Sequence, residues 1–342
     1  MEILIAILVL GSIIVVHELG HFLSAKMFKI PVKEFAIGMG PTIFSYEGEK
    51  TLYTLRSIPL GGFVNIEGME VGSEVENGFN TKSALQRFIV LFAGVAMNFL
   101  MAFLIIYITL LMNGKAIISE KPIVGAIISE NEKRASVLIP GDEIKKINGN
   151  VISNWNDIGK TLKKVPEKNK EKIANTQILR DGKIIDEKIL LNYNEKNKNY
   201  YLGITPEFKI EKYNIISGLK VSSKDFVNIS SQILNGFKML VTGKVNKEEI
   251  SGPLGIIKVV GEASRGGFKT ILFLMILLSI NVGIFNLLPF PALDGGRIIF
   301  ILLELVGIKV NKKLEERVHT AGMIILICLI IYVTSNDIFN LM

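Results

Sequence analysis

The chain has 342 residues, 49% of them hydrophobic and 21% charged, with a mean hydropathy of +0.41 and a net charge of +7. That balance argues against a soluble two-domain enzyme, a disordered regulator and a disulfide-stapled secreted domain. Cys328 is the single cysteine and has no partner within the chain. The lysines are scattered among acids without interleaved aromatics, so the positive charge points to no nucleic-acid partner.

Crossing a hydrocarbon core about 30 Å thick takes roughly 20 apolar residues in a helix. Residues 3–16 are uninterruptedly apolar or small, and the run continues through His-Glu-Leu-Gly-His to Ala25. Glu2 is its one early charge and no A-x-A site follows, so the run reads as a retained helix and not a cleaved signal peptide. Residues 88–112 form a second run, with Asn98 its one strongly polar member. A third, 271–308, is broken midway by Asn-Leu-Leu-Pro-Phe-Pro-Ala-Leu-Asp-Gly-Gly, and a fourth, 320–334, reaches full length with its flanks. Residues 24–87 carry seven Lys/Arg and 297–317 carry five, which places those connections inside. The 27 Lys/Arg of residues 113–270 do not oppose this, because a segment that long translocates regardless of charge. The expected topology has four crossings, with both termini and the middle region outside.

Within the middle region, short β-rich runs at 124–128, 142–147, 176–179 and 184–191 alternate with turn signals, and one helical run occupies 155–162. They predict a small mixed α/β domain. Pro140-Gly141-Asp142-Glu143-Ile144 followed by Ile147-Asn148-Gly149 resembles a PDZ hairpin, although Ser136-Val137-Leu138-Ile139 departs from the usual lead-in. PDZ domains add an extended peptide to a sheet edge. Farther on, Phe226, Ile229, Ile233, Leu234, Phe237, Leu240 and Val241 fall at helical spacing opposite Ser230, Ser231, Gln232 and Lys238. That amphipathic helix suits either core packing or the membrane interface. The organisation read from the sequence is 1–112 for the first two membrane helices, 113–210 for the PDZ-like domain, 211–270 for the amphipathic helix and connector, and 271–342 for the last two membrane helices.

His17 and His21 are two of three histidines in the chain, and Glu18 lies between them. Four residues apart on a helix, the two rings share a face and can grip one Zn2+, while Glu18 sits about 100° round the helix, where it can act as general base. Ionisable groups in an apolar helix are costly and normally face a partner or a cavity. A catalytic zinc needs a third protein ligand. The candidates are His319, which opens the last run and also suits an interface position, and Asp294 in the broken third run. Depth favours Asp294, because at about 1.5 Å per residue both it and His17 fall in the cytoplasmic half of the membrane. Irregular backbone there survives only when buried or lining a wet cavity. Gly295 and Gly296 are expected to let this segment approach the first helix.

His17-Glu18-Leu19-Gly20-His21, with Asn281 and Asn286-Leu287-Leu288-Pro289-Phe290-Pro291-Ala292-Leu293-Asp294-Gly295-Gly296, resembles the site-2 protease family of intramembrane zinc metalloproteases. The similarity is greatest to the bacterial regulator-of-sigma-E protease branch, which carries PDZ domains between its second and third helices. Pro59-Leu60-Gly61-Gly62-Phe63-Val64 resembles the family's membrane-reentrant β segment, and Ser251-Gly252-Pro253-Leu254-Gly255-Ile256 its post-PDZ turn. There are two departures. The sequence has room for one PDZ-like domain, and Val95 stands where the family usually has proline.

The resemblance implies a multi-pass α-helical membrane protein of about four transmembrane helices, with a membrane-reentrant β segment and an inserted extracytoplasmic PDZ-like domain. It implies metal ligands His17, His21 and Asp294, Glu18 as the catalytic base, and Asn281, Asn286, Pro289, Pro291, Gly61 and Gly62 at the substrate. It further implies a bacterial inner-membrane enzyme with its active site toward the cytoplasm. Its substrates would be single-pass membrane proteins already trimmed outside, such as anti-sigma factors, or remnant signal peptides. Two other classes compete. A transporter would normally show an internal repeat, which is not found, and a membrane-tethered PDZ scaffold with a non-catalytic metal site would need neither the whole of His-Glu-x-x-His nor Leu-Asp-Gly.

Overall fold

The computed structural model describes residues 2–70, 73, 75–128, 137–165, 173–195, 198–244, 252–308 and 310–341. Ser136 and Ser251, which open two of the sequence motifs, lie outside the described residues. The chain divides into two compact units, residues 1–108 with 217–342, and residues 109–216.

The first unit opens with helix α1 (Glu2–Met27), followed by two long strands, β1 (Val32–Glu47) and β2 (Leu52–Ile66), and helix α2 (Ala84–Asn113). Its second part holds α4 (Ile215–Val241), α5 (Pro253–Ser264), α6 (Phe268–Leu287), α7 (Asp294–Leu305) and α8 (Lys312–Leu341). Among the described residues, α1, α2, α6 and α8 are long and apolar enough to cross a membrane. On α8 the exposed residues include Ile324, Ile325, Ile327, Leu329, Ile330 and Ile331. An apolar face of that extent is what acyl chains cover.

The break in the third apolar run follows from its prolines. Pro289 and Pro291 donate no N–H, so α6 stops at Leu287 and the chain turns before restarting at Asp294. Gly295 and Gly296 do permit a close approach, but not to α1 as expected. A Cβ on Gly295 would overlap the carbonyls of Leu287 and Leu288, and one on Gly296 the carbonyl of Phe290. These glycines fold α7 tightly back on the end of α6. Glycines of α1 itself bring two of its neighbours close. Gly11 lies under the Pro59 carbonyl of β2, and Gly20 lies against Ala93 and Gly94 of α2.

Both long strands bend, β1 at Gly38 and Gly40 and β2 at Pro59 and Gly61, where all three glycines have positive φ. As a result residues 34–37 pair on one side with 62–65 and on the other with 52–55, while 44–47 pair with 52–55. The stretch of β2 ending at Ile66 is therefore an outer edge of this sheet, and it runs beside α1.

Part of the amphipathic face of α4 packs inward, while Leu234, Leu240 and Val241 of the same face are exposed. Phe226, Ile229 and Ile233 lie against Ala102, Ile106, Ile276 and Ile280 of α2 and α6, and Phe237 meets Phe285 edge-on. Helix α5 begins at Pro253, a good first helical residue because its missing N–H has no partner to lose. Asp337 of α8, 5% exposed, accepts hydrogen bonds of 2.9 Å from the N–H groups of Gly252 and Gly255. Its carboxylate suits the positive end of that helix.

The second unit contains a four-stranded antiparallel sheet in the order β6 (Asn150–Val151), β5 (Glu143–Ile147), β7 (Ile173–Arg180), β8 (Lys183–Leu190). Helix α3 (Trp155–Leu162) buries Ile158 and Leu162 against Ile144, Ile147, Ile178 and Ile189. Shorter ladders join β3 (Lys115–Ile118) to β12 (Phe208–Glu211), β4 (Val124–Ile127) to β11 (Ile204–Pro206), and β9 (Asn192–Asn194) to β10 (Asn199–Tyr201). The two turn signals act as read: Asn148-Gly149 and Asp181-Gly182 have positive φ at both residues, as two-residue hairpin turns require. Asp142 of the Pro-Gly-Asp motif is 1% exposed and is gripped by Arg180 through two bonds of 2.7 and 2.8 Å. It also accepts the Ile139 N–H at 2.9 Å. Burial alone would raise the Asp142 carboxyl, but the hydrogen bonds and charge of Arg180 and the Ile139 N–H outweigh it and hold it below the usual aspartate range.

Candidate metal centre

Helix α1 carries His17 and His21 on its buried face, 6% and 5% exposed. Asp294 reaches them from the first turn of α7. His17 Nε2 lies 3.1 Å from His21 Nε2 and 3.1 Å from Asp294 Oδ2, and His21 Nε2 lies 3.3 Å from the same oxygen. Three ligands around a tetrahedral zinc with bonds of about 2.0 Å stand about 3.3 Å apart. The donor atoms are thus spaced as zinc requires, and two imidazoles with one carboxylate are a normal catalytic zinc set. Among the described residues, no other cluster of three His, Cys, Asp or Glu forms such a group.

The orientation of the rings is set by α2. His21 Nδ1 lies 2.8 Å from the Val90 carbonyl. A carbonyl only accepts, so the proton is on Nδ1 and Nε2 is left as a free donor to a metal. His17 Nδ1 faces the Asn98 amide at 3.2 Å, and Asn98 is fully buried. The Asn98 Oδ1 atom has no hydrogen-bond partner among the described residues. If His17 binds metal through Nε2, its Nδ1 bears the proton, and turning the amide brings that oxygen to accept it. Between Val90 and Asn98 lies Gly94, where a Cβ would overlap His21 Nε2. Val90, Gly94 and Asn98 are spaced four apart, so one face of α2 supplies an acceptor, a gap and an amide.

A cavity of about 330 Å³ opens onto His17, His21 and Asp294. Its walls include Glu18, Val64, Ile66, Asn286 and Arg297. Glu18 Oε2 accepts a 3.0 Å hydrogen bond from the Val64 N–H, which ties the carboxylate to the outer edge of β2. Asn286 Nδ2 stands 3.5 Å from His17 Nε2. Arg297 donates from Nη1 to the Met69 carbonyl at 3.1 Å.

The other sequence candidates lie farther out. Asn281, half-buried on α6, does not line this cavity. Pro289 is exposed, and Pro291 packs against Gly322 of α8. Gly61 and Gly62 are buried, the first beside Ile14 and the second close to the Ala36 carbonyl, so they shape the approach of β2 to α1. Val90, Gly94 and Arg297 carry no role in the sequence, and Val64 figures there only as part of the β segment that ends at Ile66. Main-chain partners leave no trace in side-chain type, but Gly94 and Asn98 at four-residue spacing in an apolar helix were a readable signal.

A family model described as peptidase family M50 matches residues 5–329. A protein of Fusobacterium nucleatum named as a putative zinc metalloprotease, FN1322, is 49% identical over 341 residues, covering 100% of this chain and 99% of its own. A similarly named protein of Clostridium acetobutylicum is 36% identical over 98% of this chain and 97% of its own. The regulator of sigma-W protease RasP of Bacillus subtilis is 28% identical over 98% of this chain and 97% of its own. A PDZ domain of an SdrC-like protein from Listeria monocytogenes overlays 26% of this chain and 90% of its own at 20% identity, with a TM-score of 0.22, a likeness too slight to assign a fold.

Proposed function

The chain belongs to peptidase family M50, and on that premise we propose how its own residues carry out intramembrane zinc-dependent proteolysis. The observation that carries the reading is the triangle of His17, His21 and Asp294 donor atoms, 3.1 to 3.3 Å on each side, in which Asp294 comes from a stretch of chain remote from the two histidines. In this reading those three hold zinc. The ion supplies Lewis acidity toward the scissile carbonyl and the attacking water. Glu18 takes the proton of that water and later delivers it to the leaving amine.

A helical substrate shields its peptide bonds within its own hydrogen bonds, so it has to be unwound before attack. Unpaired backbone at membrane depth is costly, and the chain offers two sources of compensation. The edge of β2 runs beside the cavity and can accept an extended segment as an added strand. The Asn286 amide, with Asn281 nearer the far end of α6, can bond the exposed carbonyl and N–H groups. Pro289 and Pro291 keep the cavity wall open by ending α6, and Gly61 and Gly62 keep β2 close to α1.

We place the middle unit outside the membrane as a PDZ-like filter that admits substrates already shortened there, with the cavity toward the cytoplasm and β1 and β2 entering the bilayer from that side. Substrates in this reading are single-pass proteins such as anti-sigma factors, or remnant signal peptides.

The test is Glu18→Gln, purified in detergent and compared with the unaltered protein on a model transmembrane substrate. Retained zinc with abolished cleavage is the expected result. Equal cleavage by both proteins removes Glu18 from the mechanism.

A further inference from the structure

Ala292 has φ +79°, a left-handed backbone that an alanine seldom adopts. The other described non-glycine residues with positive φ are Asn, Asp and Lys, several of them in tight turns. Ala292 lies between the two helices of the broken run, two residues before Asp294. Its conformation decides where the chain points as α7 begins. A strained backbone of this kind persists only where its surroundings hold it.

What holds it is α8. The Ala292 N–H donates to His319 Nδ1 at 3.3 Å. Three residues along the same face of α8, Gly322 lies so close to Pro291 that a Cβ there would overlap it. The His319 ring packs on Phe300 at 5.4 Å between centroids, and its Nε2 is buried without a hydrogen-bond partner among the described residues. An imidazole 13% exposed, with Nε2 4.0 Å from Glu315 Oε1 and Nδ1 accepting a bond from a left-handed residue two positions before Asp294, is placed to fix that turn.

We propose that His319 is a positioning residue: by accepting the Ala292 N–H it locks the left-handed turn that aims the Asp294 carboxylate at His17 and His21. It touches neither substrate nor metal and acts through Ala292. The proposal rests on the reading of Asp294 as a zinc ligand.

The experiment measures zinc affinity by chelator competition on the full-length protein in detergent, for His319→Leu, Ala292→Gly, the double variant, His319→Gln and Asp294→Ala. Removing the acceptor in His319→Leu is expected to weaken zinc binding by about tenfold, as loss of an outer partner of a metal ligand does. His319→Gln keeps an acceptor and retains most of the affinity. Glycine adopts positive φ without strain. In the double variant it no longer needs the clamp, and affinity returns to that of Ala292→Gly alone. A general packing role for His319 would not be rescued this way. Unchanged affinity in His319→Leu, or a double variant as weak as His319→Leu, overturns the proposal. Should His319→Leu fail to fold, Ala292→Val with His319 intact decides. A β-branched residue resists this φ and is expected to weaken zinc, and unchanged affinity overturns the proposal. If Asp294→Ala itself leaves affinity unaltered, the metal reading fails, not the clamp alone.

Discussion

Gly94 of α2 faces the imidazole of His21 so closely that a methyl group there would overlap Nε2 and stand 2.9 Å from His17 Cε1. No side chain fits between this helix and the His17 and His21 rings. Gly94→Ala is therefore expected to displace His21 and lower zinc affinity by at least about tenfold, as disturbance of a ligand's support does. Gly236→Ala on α4, where a Cβ would meet nothing within 4 Å, is the matched control. It should bind zinc normally and gain slightly in helix stability, by about 1 kcal/mol or less. Metal content after gel filtration distinguishes the two.

Asn98 gives a prediction with a sign. A zinc-binding His17 needs an acceptor at Nδ1, and the Asn98 oxygen has no hydrogen-bond partner among the described residues. Asn98→Ala is expected to lose roughly ten- to a hundredfold in zinc affinity. Asn98→Asp keeps an acceptor at the same place and should retain far more. Equal losses in the two variants would mean that the Asn98 side chain only fills space.

Much of this centre is legible in the sequence, and the reason is geometric. His17 and His21 lie on one helix at a spacing that admits a single relative placement, so periodicity alone puts both rings on one face. Asp294 is harder, because the turn that delivers it depends on Pro289, Pro291 and the left-handed Ala292, and no local preference predicts an alanine at that φ. Gly295 and Gly296 mark a close approach in the sequence, and the neighbour they admit is the end of α6 and not α1. A glycine marks a close approach without saying what approaches. The strand runs at 142–147, 176–179 and 184–191, with their Asn-Gly and Asp-Gly turns, fall on β5, β7 and β8, although β7 begins three residues earlier, at Ile173. The doubling of β1 and β2 into adjacent segments does not follow from alternation, since it arises from bends at Gly38, Gly40 and Gly61.

In the middle unit, Asp142 and Arg180 join the start of β5 to the end of β7. Removing one partner of a buried pair leaves the other uncompensated, and Arg180→Gln is expected to cost on the order of 3 kcal/mol. Hydrogen exchange of the β5 and β7 amides in the full-length protein reads this locally. The pH dependence has a defined direction. The folded Asp142 carboxyl sits below its ordinary value near 4, so its contribution is fully present above that value and is lost as pH falls through the lower, folded one. Arg180→Gln should flatten this acid sensitivity, and an unaltered acid profile would show that the pair does not set it.

Whether α1 and α7 jointly bind a divalent ion is decided by zinc stoichiometry together with X-ray absorption at the zinc edge on the purified full-length protein. The account predicts one zinc per chain with two imidazole ligands and one carboxylate oxygen, and loss of that zinc in His17→Ala and Asp294→Ala. A fully active preparation free of metal, or an Asp294→Ala protein with unaltered zinc content and ligand shell, would contradict it.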